Sequence, residues 1–129
     1  MATFHRFEEI ESWKKAREIT RLIYKITSDG NFARDFGLRD QIRRASVSIA
    51  SNIAEGFERD GTKEFVQFLY IAKGSAAEVK TQLYIALDLG YTTQHDFNLL
   101  FRLADEIGKL IGGMIKYLKA SEIAGKKYR

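Results

Sequence analysis

The sequence predicts an all-α chain, an antiparallel up-and-down four-helix bundle forming one domain over residues 1–129. Three observations lead there. The chain contains no proline, so nothing forbids long uninterrupted helices. Apolar residues recur at steps of three and four through four long stretches, while alternation at every second residue never persists. The connections between the stretches are short, which makes consecutive helices antiparallel neighbours.

The first helix is expected at about residues 11–27, where Trp13, Ala16, Ile19, Ile23 and Ile26 form a stripe that Leu22 widens. Asp29-Gly30-Asn31 stops it with turn residues. The second, at about 38–58, carries Leu38, Ile42, Ala45, Ile49, Ile53 and Gly56 at the same steps. Its uncharged centre is built of small residues, which allow another helix to approach closely. Asp60-Gly61-Thr62 breaks the chain, with Thr62 in the role of N-cap. The third helix, at about 63–89, runs through Phe65, Leu69, Ala72, Ala76, Val79, Leu83 and Leu87 until Gly90 ends it. Thr93 and Asp96 then have the spacing of a capping box. The fourth, at about 94–118, shows Phe97, Leu100, Phe101, Ala104, Ile107, Ile111, Ile115 and Leu118. A short N-terminal arm and a solvated basic tail beyond Lys119 complete the expected organisation.

Composition removes most catalytic classes. With no cysteine, disulfides, thiolate zinc sites, iron–sulfur clusters and cysteine nucleophiles are all excluded. His5 and His95 are the only histidines, too few for a multi-histidine metal site. A di-iron bundle needs a Glu-x-x-His pair on each of two helices, yet Ala2 and Thr92 stand three residues before the histidines. The run from Gly56 to Lys63 contains Gly-Thr-Lys where a phosphate loop requires Gly-Lys-Ser/Thr, and it follows a helix. No nucleophile–base pair can be assembled. The chain is therefore expected to be no enzyme, with no cofactor, no metal and no small-molecule substrate. The first nine residues lack a secretory pattern, and the longest uncharged stretch, Ala45–Ala54, is far short of a bilayer span. A cytoplasmic protein without membrane attachment is the expectation.

The net charge of +4 and the pI near 9.3 suggest an anionic partner. Ten basic and seven acidic side chains fall in residues 1–44, seven and nine in 45–118, four and one in 119–129. On the first helix, Lys14, Arg17, Arg21 and Lys25 follow one another at steps of three and four. Arg39 and Arg43 open the second helix and extend that candidate nucleic-acid-binding stripe. Some 16 Å of helix side would suit several phosphates.

Three stretches carry a family resemblance: Phe7 to Ala16 (Phe-Glu-Glu-Ile-Glu-Ser-Trp-Lys-Lys-Ala), Gln41 to Gly56 ending in Asn-Ile-Ala-Glu-Gly, and Ile71 to Val79. The stretches lie in order between residues 7 and 79, and the resemblance as a whole extends over residues 7–118. The sequence resembles the four-helix-bundle family of the 23S rRNA intervening sequences, also called S23 ribosomal protein-like. Lys73 replaces an arginine of that pattern, and Ala50 a proline. The resemblance implies a homo-oligomer, commonly a pentamer, with a nucleic-acid-binding role in RNA or ribonucleoprotein and no catalytic activity. A similar bundle is an accessory protein of diversity-generating retroelements. An oligomeric protein-interaction scaffold is the alternative.

Two further patterns stand out. Arg44, Ser48, Asn52 and Glu55 share one face of the second helix and can form a structural polar seam against Gly74, Ser75 and Glu78 of the third. Arg44–Glu55 or Arg44–Glu78 pairing would satisfy the charges. Gly108 and Gly112, followed by Gly113, interrupt the fourth helix where close approach of another backbone is the expected reason. The third helix is apolar almost all round, which predicts burial against another subunit.

Overall fold

The computed structural model describes residues 4–127, with side chains through Glu122. A turn of 3-10 helix at Phe7–Glu9 leads into α1 (Glu11–Ile26). Then come a short α2 (Gly30–Arg34), α3 (Phe36–Glu58), α4 (Thr62–Asp88) and α5 (Gln94–Lys127). There is no strand among the described residues. The four long helices form a closed ring: α3 packs on α1 and α4, and α5 packs on α4 and α1. Cross-helix pairs show the antiparallel register. Ser48 meets Ser75 while Gly56 meets Phe68, and Lys80 meets Asp105 while Tyr70 meets Lys119.

The apolar stripes fill the middle. Ile19 and Ile23 of α1, Ile42, Ile49 and Ile53 of α3, Leu69 and Leu83 of α4, and Leu100, Ile107 and Ile111 of α5 are essentially inaccessible. Each such side chain contributes about 1.5–3 kcal/mol relative to exposure. The α3–α4 seam is the tightest. A Cβ placed on Gly56 would lie 2.6 Å from Phe68 Cβ, so only glycine lets the two backbones come this close.

The structure departs from the sequence expectations at three junctions. The connection after α1 contains α2, whose five residues are too few to show a helical period. Phe32 on α2 is buried and packs on Tyr91 at 5.4 Å between ring centroids. Asp35 then caps α3 by accepting from the Leu38 N–H at 3.1 Å, and takes a second bond from the Tyr91 hydroxyl at 3.0 Å. That bond pushes the Tyr91 hydroxyl above its ordinary pKa. At α4 the cap is Gly61, with φ of +112°, and Thr62 is already helical; the expected Thr62 cap is corrected. At α5, Thr93 Oγ1 accepts from the Asp96 N–H at 3.1 Å as expected. The helix nonetheless runs to Lys127 instead of ending near 118, because Ala, Glu and Lys sustain a helix without an apolar stripe. Tyr128 and Arg129 of the expected tail lie outside the described residues.

Candidate nucleic-acid interface

On α1, burial of Ala16, Ile19 and Ile23 fixes which side faces outward. Lys14, Arg17, Arg21 and Lys25 are all exposed on that outer side. Trp13 floors part of it, with the Arg17 guanidinium 5.9 Å from the ring centroid. Glu18 sits within the stripe and binds Arg21 at 2.7 Å. The hydrogen bond holds the Glu18 carboxyl below its ordinary pKa and raises that of Arg21. The surface is a row of four cations with one compensating carboxylate, and Trp13, Lys14, Arg17, Glu18 and Arg21 line a shallow depression in it.

Arg39 and Arg43 are half-buried and engaged with neighbours, Arg43 at the last turn of α1 beside Lys25. Arg43 donates through Nε to Thr27 Oγ1 at 2.8 Å and through Nη2 to Ser28 Oγ at 3.3 Å. Its guanidinium also lies 4.5 Å from the Tyr24 ring centroid. Arg39 binds Asp40 at 2.9 Å, donates to the Ala33 carbonyl at 3.1 Å and covers Phe36. The bond from Arg39 is the main reason that the Asp40 carboxyl is held below its ordinary pKa. Both arginines thus fasten the α1–α3 connection. Part of each guanidinium's donor set is thereby engaged within the subunit.

The polar seam is smaller than its sequence pattern. Ser48 Oγ and Ser75 Oγ are 2.9 Å apart, and the Asn52 amide donates to both the Ser48 carbonyl and its hydroxyl at 2.8 and 2.9 Å. Arg44, Glu55, Gly74 and Glu78 are exposed and stand outside it. Glu55 pairs with Arg59 at 2.9 Å, one turn along its own helix, which corrects the expected Arg44–Glu55 pairing. At a step of eleven, Arg44 and Glu55 share a face but stand too far apart to touch.

The glycines of α5 also read differently in space. Within the subunit, no other helix backbone approaches Gly108 or Gly113, and Gly112 meets only the end of the Lys73 side chain at 3.7 Å. Instead they open a groove between α4 and α5. Its walls bring together Lys73, Lys80, Lys109, Lys116 and Lys119, with Asp105 as the acidic lining residue. Asp105 binds Lys80 at 2.9 Å and Lys109 at 3.0 Å, and these bonds, Lys80 first, hold its carboxyl below the ordinary range. The sequence carries a signal for this surface in two seven-residue steps, Lys73 to Lys80 and Lys109 to Lys116. Only the antiparallel register shows that the two rows face each other.

The all-helical fold is shared with a known protein. Residues 8–113 match the family described as 23S rRNA-intervening sequence protein. The chain belongs to that family. This 23S rRNA-intervening sequence family member is also similar to a crystal structure from Bacteroides thetaiotaomicron, described as a protein of unknown function from the S23 ribosomal protein family. The two are 26% identical with a TM-score of 0.75, over 81% of this chain and 95% of the other. No protein of curated function matches the chain. Among the described residues of this family member, no helix is long and apolar enough to cross a membrane. No group of three or more potential metal-ligating side chains forms among them either.

Proposed function

We propose that the chain is a non-enzymatic, homo-oligomeric bundle of the cytoplasm that binds nucleic acid, as RNA or ribonucleoprotein. Contact is through the basic face of α1. The observation that carries this reading is the uninterrupted exposure of Lys14, Arg17, Arg21 and Lys25 on a rigid helix side. The family name supplies the link to ribosomal RNA. Such a face contacts phosphates and reads little sequence, since affinity comes from released counterions. Assembly is supported by the outer side of α4, where Ile71, Ile85 and Leu89 are each between 44% and 54% exposed. Those three follow at steps of fourteen and four along one edge, toward α3. A pentamer is the form proposed from the family resemblance, and it would repeat the α1 stripe once per subunit, so weak contacts add through avidity.

The test is binding of a structured RNA at low and at about physiological salt, with the assembly mass followed by light scattering. The change of Lys14, Arg17, Arg21 and Lys25 to Gln together should keep the oligomer and lower the slope of log K against log salt. A duplex loses about 0.9 of slope per phosphate contact removed. A parent protein that binds no nucleic acid at low salt ends this reading in favour of a protein-interaction scaffold. A monomeric mass near 14.8 kDa ends the assembly part.

A further inference from the structure

A second basic surface lies in the groove between α4 and α5. Five lysines rim it against the single carboxylate of Asp105. Its floor is made of Ala76, Ala104, Gly108 and Gly112, small residues that leave room for a chain to lie between the rows. A Cβ added to Gly108 would meet nothing within 4 Å. Lys80 and Lys109 share Asp105, whereas no acidic partner of Lys73 or Lys116 is seen among the described residues. A concave basic site between low-dielectric walls concentrates potential.

An aromatic ring lines one end of the groove, and a second stands on α4 one turn past Lys80, beyond the other end. Tyr70 is 49% exposed, with the Lys119 ammonium 3.4 Å from its hydroxyl. Tyr84 is 52% exposed and braced by Phe97 and Phe101 at 5.0 and 5.3 Å between centroids. Fourteen residues apart on α4, the two tyrosines are separated by about 21 Å of helix, and Lys73 and Lys80 fall between them. Cations along a groove, with a ring platform at one end and another beyond the other, are what an unpaired strand requires: phosphates meet the lysines, and bases stack on the rings. A duplex hides its base faces and gains nothing from the tyrosines.

We infer that the groove between α4 and α5 seats a single-stranded stretch of nucleic acid, its phosphates between the lysine rows and bases stacked on Tyr70 and Tyr84. This rests on the nucleic-acid-binding reading above and adds to it a second surface with a different preference. The α1 stripe holds phosphates of any strand, while the groove selects unpaired ones.

The test uses the full chain and a labelled oligouridine of about 12 nucleotides, within the usual span of such sites, beside a hairpin duplex of equal charge. Three variants are compared with the parent: Lys73→Gln with Lys116→Gln, Tyr70→Ala with Tyr84→Ala, and Gly108→Leu. The lysine pair should lower the single-strand salt slope by about 1.4, at about 0.7 per contact. Each tyrosine should contribute about five-fold or more in single-strand affinity. Gly108→Leu keeps every charge and fills the floor, so it should weaken the oligouridine and leave the duplex unchanged. If the parent binds the oligouridine and all three variants match it, the groove proposal falls while nucleic-acid binding stands. If the parent binds neither probe, the underlying reading falls instead. If the variants change the assembly mass rather than the affinity, the groove is a contact between subunits and the proposal is overturned.

Discussion

Helix α4 has two flanks built from small residues, and they come to opposite ends. Toward α3, Gly56 and the serine pair let the backbones close until Phe68 Cβ fills the space a methyl group would need. Toward α5, Ala76, Ala104, Gly108 and Gly112 leave a groove that lysines line but do not fill. Small side chains permit approach without compelling it. What closes the first flank is a partner surface that gains by closing: the rings of Phe57 and Phe65 meet edge to face at 6.0 Å, and the seam satisfies its own hydroxyls. The second is lined with charge, and Lys80 and Asp105 are bonded across it at 2.9 Å. Drawing α5 inward would press two lysine rows together, and like charges in a narrowing gap repel more as water leaves.

The comparison breaks most visibly at Gly56. Replacement by alanine improves intrinsic helix propensity by about 1 kcal/mol. The new methyl would nonetheless stand 2.6 Å from Phe68 Cβ and 3.3 Å from the Phe65 carbonyl, neither of them the free end of a flexible chain. Overpacking of this kind costs about 1–3 kcal/mol. Gly56→Ala should therefore lower stability in urea unfolding despite the favourable propensity. An unchanged or raised midpoint would mean the seam has slack, and the contrast between the flanks would lose its basis.

A smaller effect is expected at the serine pair. Ser75 is buried, and the bond between its hydroxyl and Ser48 Oγ is the one seen for it. Ser48→Ala leaves that hydroxyl without its partner and removes one of the two acceptors of Asn52. The cost of stranding a partly solvated polar pair suggests a loss of about 1 kcal/mol. A double-mutant cycle with Ser75→Ala measures it: the double variant should be less destabilised than the two single changes added. Simple additivity would show that the pair contributes packing alone.

The reach of the sequence follows the same division. The four long helices were legible because each buries one continuous stripe, so period, burial and element coincide, as along Ile42, Ile49 and Ile53. The α2 helix was not, since five residues complete little more than one turn. In the candidate site, the exposure of the α1 stripe followed from the position of its apolar opposite face. The roles of Arg39 and Arg43 did not follow, because Thr27, Ser28 and Ala33 come within reach only after the chain has turned. The same holds for the seam. The pattern grouped Arg44 and Glu55 with Ser48 and Asn52, yet the boundary between a buried polar pair and an exposed charge lies within about one helix turn. The lysine groove was hardest to see, since it belongs to two helices and to neither alone. Glycines that looked like signs of close contact are signs of space.

The smallest expected effect tests that last point directly. Gly108 lies inside α5, where glycine costs about 1 kcal/mol relative to alanine through backbone freedom in the unfolded chain. Nothing in the subunit stands within 4 Å of an added Cβ. Gly108→Ala should accordingly stabilise the protein by about 0.5–1 kcal/mol in urea unfolding, with the assembly mass unchanged. Gly56→Ala provides the opposite sign on the other flank, so the pair reports on approach with propensity held constant. A destabilising Gly108→Ala, together with a change in assembly mass, would place a neighbouring subunit's backbone against α5. The open flank would then be open in the single chain only, and the two sides of α4 would obey one rule after all.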